Sequence, residues 1–201
     1  MNKVFNSILA FLITIGSQVS AADPDDLQRL IDTGDCVECD LKGANLLASD
    51  LNGADLKGAN LIDANLRSAD LNDANLSGAK LMGANLNSAE LEGAGLGSAN
   101  LSGASLNSTD LESAVLISAN LESAELIDAY LKKAKMGLAN LRDAYLKNAN
   151  LSDADLYSAN LEGADLSGAN LMGALLSKAY MKGAILCNTT MPDGSVIYSL
   201  C

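Results

Sequence analysis

DLKGA NLLAS DLNGA DLKGA NLIDA NLRSA, residues 40–69, repeats every five residues, and the same register continues without insertion to Leu186. Of the 30 positions from 41 to 186 in this register, 28 are Leu and two are Met (Met136, Met181). Two residues before each stands a small side chain, Ala in 27 cases and Cys39, Ser49 or Thr109 in the others. A repeat this regular is read before any local propensity.

A period of five fits neither regular element. On an α-helix five residues advance about 500°, so successive Leu would step around every face and leave no stripe to bury. On a flat strand an odd period sends alternate Leu to opposite faces. Turning a corner every five residues resolves the conflict, because each short face then points its Ala and its Leu inward and the other three residues outward. The outward positions agree. The residue two after each Leu is nearly always Gly, Ser, Asp or Asn, as a tight corner demands. The residue just before Leu is most often Asn or Asp.

Tandem A-(D/N)-L-x-x from Cys39 to Met191 resembles the pentapeptide repeat family. The resemblance implies an all-β solenoid, a right-handed quadrilateral β-helix with four pentapeptides per coil. Thirty faces at four per coil make about 7.5 coils, a rod of roughly 36 Å at the usual strand spacing. The organisation expected is a signal peptide over 1–21, an N-terminal helical cap over 22–35, the β-helix over 36–191 and a C-terminal turn cap over 192–201. Asp23-Pro24-Asp25-Asp26 is a helix start, with an Asp N-cap, Pro at the first helical position and acids in the first turn. Gly34 is a stop, so the helix predicted is Pro24 to Thr33, lying over the first coil. Met191-Pro192-Asp193-Gly194 signals a turn, after which Ser195 to Cys201 folds back.

The N-terminus reads as a targeting segment. Lys3 supplies a positive charge, Val4 to Ile15 is mostly apolar, and Val19-Ser20-Ala21 suits a signal peptidase cutting after Ala21. Cleavage removes Lys3 and no acid, so the formal charge of −12 becomes −13. The segment LQRLIDTGDCVECDL resembles exported family members, notably cyanobacterial ones, which implies a bacterial periplasm or a thylakoid lumen. In a rod of the implied length Cys36 and Cys39 lie at one end and Cys187 and Cys201 at the other. A disulfide spans only about 7 Å between Cα atoms, so the pairing expected is Cys36–Cys39 and Cys187–Cys201. The other reading of Cys36-Val37-Glu38-Cys39 is a redox or metal site, but two thiolates without His make a poor zinc site.

The chain has no His and no Trp, and only 2 Phe and 5 Tyr, so its core must be Leu and Ala. Lack of His removes the commonest general base and metal ligand. With no nucleophile–base pair and no cofactor motif, an enzyme is not expected, nor is any cofactor. Net acidity disfavours nucleic acid. Columns twenty residues apart then define surfaces. Asp50, Asp70, Glu90 and Asp110 stack with Asp73, Glu92 and Glu112 beside them, meeting no base until Lys132 and Lys133. They are weak candidates for a metal site or a basic partner, against a solvated surface that keeps the rod soluble. Val115, Ile117, Leu138, Tyr157 and Leu175 form an outward apolar column, a candidate partner surface, and Tyr130, Tyr145, Tyr180 and Ile185 break the Asn/Asp rule on the other faces. Asn60, Asn100, Asn120, Asn140 and Asn160 form a hydrogen-bonding ladder.

The leading expectation is a non-catalytic scaffold or protein-binding module, a monomer or weak dimer, off the membrane once the signal is removed, with an unknown protein partner. The resemblance also implies an alternative. Some family members mimic duplex DNA and act on gyrase, although those often carry Phe where this chain carries Leu. A weak cation-binding rod is a further reading.

Overall fold

The computed structural model describes residues 22–198. Residues 1–21, expected from sequence to be a signal peptide, and residues 199–201, Cys201 among them, lie outside the described residues. From Asp40 to Thr190, parallel β-bridges join each outward residue before a Leu to the one twenty residues on, as in Asp40↔Asn60, Glu90↔Asp110 and Asn170↔Thr190. Twenty residues are four five-residue repeats, so the chain makes a circuit of four faces and each residue lies against its counterpart in the next circuit.

The backbone shows why five residues suffice for one face. Every N–H must find a partner, and in the repeat around Leu81 four of the five find backbone carbonyls. Leu81 N donates to Asn100 O at 2.7 Å, Gly83 N to Ser102 O at 3.3 Å, and Lys80 N to Ala59 O at 2.9 Å. Ala84 N closes the corner on Leu81 O at 3.0 Å. That four-residue span, Leu81 to Ala84, with positive φ at its third residue alone, is the type II turn.

In most repeats with Asn or Asp before Leu, the fifth N–H, on the residue after Leu, falls to that side chain. Asn75 Oδ1 accepts from Ser77 N at 3.2 Å, Asp110 Oδ1 from Glu112 N at 2.9 Å, and Asn150 Oδ1 from Ser152 N at 3.1 Å. This Asx bond is the physical reason for Asn or Asp before Leu. At three repeats without it, a neighbouring circuit substitutes. Glu90, Ser105 and Glu125 make no such bond, and Asn72, Asn87 and Asn107 accept instead from Glu92 N, Asn107 N and Ile127 N at 2.8, 2.8 and 2.9 Å.

Inside, Leu stacks on Leu and Ala on Ala, and from Leu56 to Leu171 each of them is all but inaccessible to water. The polar exceptions at the Ala position are satisfied. Ser49 Oγ donates to Leu46 O at 2.8 Å and Thr109 Oγ1 to Leu86 O at 2.9 Å. Cys39, the third exception, is bonded to Cys36 across a Cα–Cα distance of 5.3 Å.

The two ends differ. Helix α1 spans Pro24–Thr33, with Asp23 Oδ1 accepting from Asp25 N and Asp26 N and Gly34 closing it in the left-handed conformation. Its Leu30 and Ile31 are buried, and Asp23 N donates to Asp40 O at 2.8 Å, tying the helix to the first circuit. At the far end strand β1, Thr189–Thr190, pairs antiparallel with β2, Val196–Ile197. Met191 to Ser195 form the turn between them, with Met191 N on Ser195 O at 2.7 Å. Here the inward Leu176, Ala179, Met181, Leu186 and Met191 are only partly buried. Cys187 is disulfide-bonded, and its expected partner, Cys201, lies outside the described residues.

Deleting a buried Leu leaves a cavity in a stack with no room to collapse. Leu116→Ala is expected to cost about 2–5 kcal/mol, and Leu186→Ala, at the less covered end, under half as much. Denaturant titration of both variants checks this, and equal losses would contradict the picture of the core.

Candidate protein-docking surface

Because every inward position is used for packing, whatever this chain recognises it must recognise with outward residues. The acidic column is continuous along the rod, with bridges Asp50↔Asp70, Asp70↔Glu90 and Glu90↔Asp110. Its carboxylates are occupied with corner chemistry. Asp70 Oδ1 accepts from Asn72 N at 3.0 Å, Glu90 Oε2 from Asn72 Nδ2 at 3.2 Å, and Glu112 pairs with Lys132 Nζ at 3.7 Å. Among the described residues the one group of three acid or thiol ligand atoms lying within 4.8 Å of each other is Asp26, Cys36 and Cys39. The structure therefore does not gather Asp50, Asp70, Glu90 and Asp110 into a metal centre, because their stacking spreads them one per circuit. An open groove of about 250 Å³ beside them is lined by Asn72, Asp73, Glu92, Gly93 and Ser113.

The apolar column is less uniform than the sequence suggests. Its ladder runs Val115↔Lys135↔Asp155↔Leu175, so two charged residues separate Val115 from Leu175. Val115 is half-buried. Ile117, Leu138, Tyr157 and Leu175 are exposed, Leu138 at 61% and Leu175 at 59%. Lys178 Nζ donates to Tyr157 Oη at 2.8 Å and lies 5.3 Å from the ring centroid, at the hydroxyl end of the ring. Exposed Tyr130, Tyr145, Met172, Tyr180 and Ile185 lie on the other faces of the same half. The apolar surface is thus a girdle around the C-terminal circuits more than a single stripe. The Asn column is likewise interrupted, by Lys80. Asn60 Nδ2 donates to Asp40 Oδ1, and the ladder of Asn onto Asn runs from Asn160 through Asn140 and Asn120 to Asn100 at 3.0–3.2 Å.

The apolar residues sit where corner chemistry disfavours them. Val115, Tyr130, Tyr145, Leu175, Tyr180 and Ile185 occupy the position before Leu or its equivalent and carry no oxygen on the side chain's second atom to close the Asx bond, worth about 0.5–1.5 kcal/mol net. Leu138 holds the corner position at φ 61°, where a side chain without a local hydrogen bond costs about 1–2 kcal/mol. Outward apolar side chains at sites favouring polar ones or Gly are a departure from local consistency of the kind that marks functional surface.

A groove of about 480 Å³ runs between Lys147 and Cys187, and Ser167 Oγ in it donates to Asp165 Oδ1. No imidazole exists in the chain to activate that hydroxyl. The Asp193 carboxyl is held below its ordinary range, chiefly by the Ser195 hydroxyl bond and next by Ser195 N. That turn bond is fully present above the ordinary carboxylate pKa and is lost as pH falls through the lowered one.

The profile described as pentapeptide repeats matches the chain in eight copies, over residues 35–73, 59–97, 96–136, 124–163 and 154–191. Among solved structures the chain is similar to HetL, a pentapeptide repeat protein involved in heterocyst differentiation regulation in the cyanobacterium Nostoc sp., at 33% identity and TM-score 0.57, covering 86% of this chain and 98% of that one. It is also similar to a pentapeptide repeat protein from the Arabidopsis thaliana thylakoid lumen, at 30% identity and TM-score 0.46, over 47% of this chain and 66% of that one. A third likeness is to QnrB1, a plasmid-mediated fluoroquinolone resistance protein, at 19% identity and TM-score 0.45, over 76% and 83%. Comparison with characterised protein sequences found no significant match.

If the outward apolar residues are retained against local stability, replacing them relieves the rod. Leu138→Gly and Leu175→Asn are expected to leave stability unchanged or raise it by up to about 1 kcal/mol. Thermal melts decide, and a loss above about 1 kcal/mol at both would show that these side chains serve the fold.

Proposed function

This chain belongs to the pentapeptide repeat family, whose members form right-handed quadrilateral β-helices, and from that premise we propose that it is a non-catalytic scaffold presenting its C-terminal apolar girdle to a protein partner in an exported compartment. In this reading the rod of about 7.5 coils over 36–191 is closed by α1, within 22–35, and by the β2 hairpin, within 192–201. The signal peptide is 1–21, cut after Ala21. The scaffold is a monomer or weak dimer.

The observation that carries the reading is the exposed Leu138 in a left-handed corner, with Ile117, Tyr157 and Leu175 on the same face. A rigid rod binds with little ordering cost, and exposed aromatic and aliphatic anchors supply the contact energy. The bonded Cys36 and Cys39 fit an oxidising compartment. Among the described residues no helix is long and apolar enough to cross a membrane. The regulatory description of HetL fits a family member that works by binding.

The test is differential capture. The mature protein and an Ile117→Ser/Leu138→Ser/Tyr157→Ser variant, immobilised side by side in periplasmic or lumenal extract, are compared by quantitative mass spectrometry. A partner retained by the first and depleted at least tenfold by the second is expected. Identical profiles would sink the docking surface. In the same preparation a gyrase supercoiling assay is expected to show no effect, and inhibition at micromolar protein would favour the DNA-mimic alternative.

A further inference from the structure

We propose that Asp26, Cys36 and Cys39 form a redox-gated site for a zinc-type divalent cation, available once the Cys36–Cys39 disulfide is reduced. The three ligand atoms, one from each side chain, already lie within 4.8 Å of one another. Both cysteines are buried and Asp26 is half-buried. The Cys-x-x-Cys spacing suits two thiolates on one ion, and the carboxylate is the third ligand that the cysteines lacked in sequence. Asp26 comes from the first turn of α1, and its Oδ2 accepts from Asp40 N at 2.8 Å. That bond orients the carboxylate and leaves its other oxygen for a cation, the usual outer support of a metal ligand. Cys36 Sγ lies 3.2 Å from Asp26 O, so helix and loop are in contact at this point.

The two states exclude each other. In the disulfide each sulfur is bonded to the other and neither is a thiolate. A dithiol transfers two electrons and two protons, leaving two protein thiols and its own disulfide. The cation then binds the two thiolates and releases two protons. Three protein ligands leave a fourth position for water. The exchange also changes what is tied together. The disulfide closes a loop within the first circuit, whereas the cation links that loop to α1 through Asp26. Both cysteines are buried and Cys36 Sγ lies against Asp26 of the helix, so in this proposal a dithiol reaches them as α1 opens, and the cation then holds α1 in place.

Cobalt(II) is the probe, because a thiolate–cobalt charge-transfer band reports sulfur ligation directly. A Cys187→Ser/Cys201→Ser chain confines the signal to the N-terminal pair. Should that chain not fold, the wild type read against a Cys36→Ser/Cys39→Ser blank gives the same band. Expected are one cobalt per reduced chain with the band present, no band in the oxidised chain, and an affinity at least tenfold lower in Asp26→Asn. The Asn variant keeps an acceptor for Asp40 N, so its far-UV dichroism should match the parent. No thiolate band in the reduced chain, an Asp26→Asn affinity equal to the parent's, or loss of the β-helix spectrum on reduction would overturn the proposal.

Discussion

The corner bond between each Leu carbonyl and the N–H three residues on is what the rest of the structure depends on. It forces a turn every five residues, and with four turns per circuit it sets the spacing of twenty at which backbone ladders form. The ladders stack Leu on Leu and Ala on Ala, leaving the interior all but inaccessible to water. The same bond leaves one N–H per repeat without a backbone partner, and the Asn or Asp before Leu supplies it. Composition, core and surface chemistry thus follow from one turn.

Much of this was legible because the repeat is local. The register of Leu and Ala, the polar corner residues and the bounds of α1 from Asp23 to Gly34 all read directly from neighbours in sequence. What did not read was which side chain of a neighbouring circuit closes a given bond. Asn72, Asn87 and Asn107 reach across a circuit to replace missing Asx bonds, and nothing in their own repeat marks them. Lys135 and Asp155 interrupt the apolar ladder at positions the column spacing itself gives, whereas the bond from Lys178 to the Tyr157 hydroxyl depends on side-chain reach that no spacing encodes. Asp26 was legible as a helix-start acid, but its place beside Cys36 depends on how α1 docks.

Function separates from folding in such a rod. Inward positions are fixed by packing, while outward positions tolerate nearly any residue that keeps the corner. An outward Leu in a left-handed corner, or a Tyr where Asn would close a hydrogen bond, therefore carries information that an outward Ser does not. The acids stack without convergence, since each circuit places one on an open surface where nothing gathers them. The reading of a binding scaffold rests on this contrast between a uniform interior and a selectively apolar exterior.

The central claim is that register, more than any single contact, specifies the fold. Its most direct test is a comparison of two insertions at the corner after Ser118, one of a single Ser and one duplicating residues 99–118, followed by denaturant unfolding. The duplicated circuit keeps every column and is predicted to fold with stability equal to the parent or higher. The single residue breaks the Leu stack and is predicted to lower the unfolding midpoint sharply. If the single insertion is tolerated as well as the full circuit, the account is wrong.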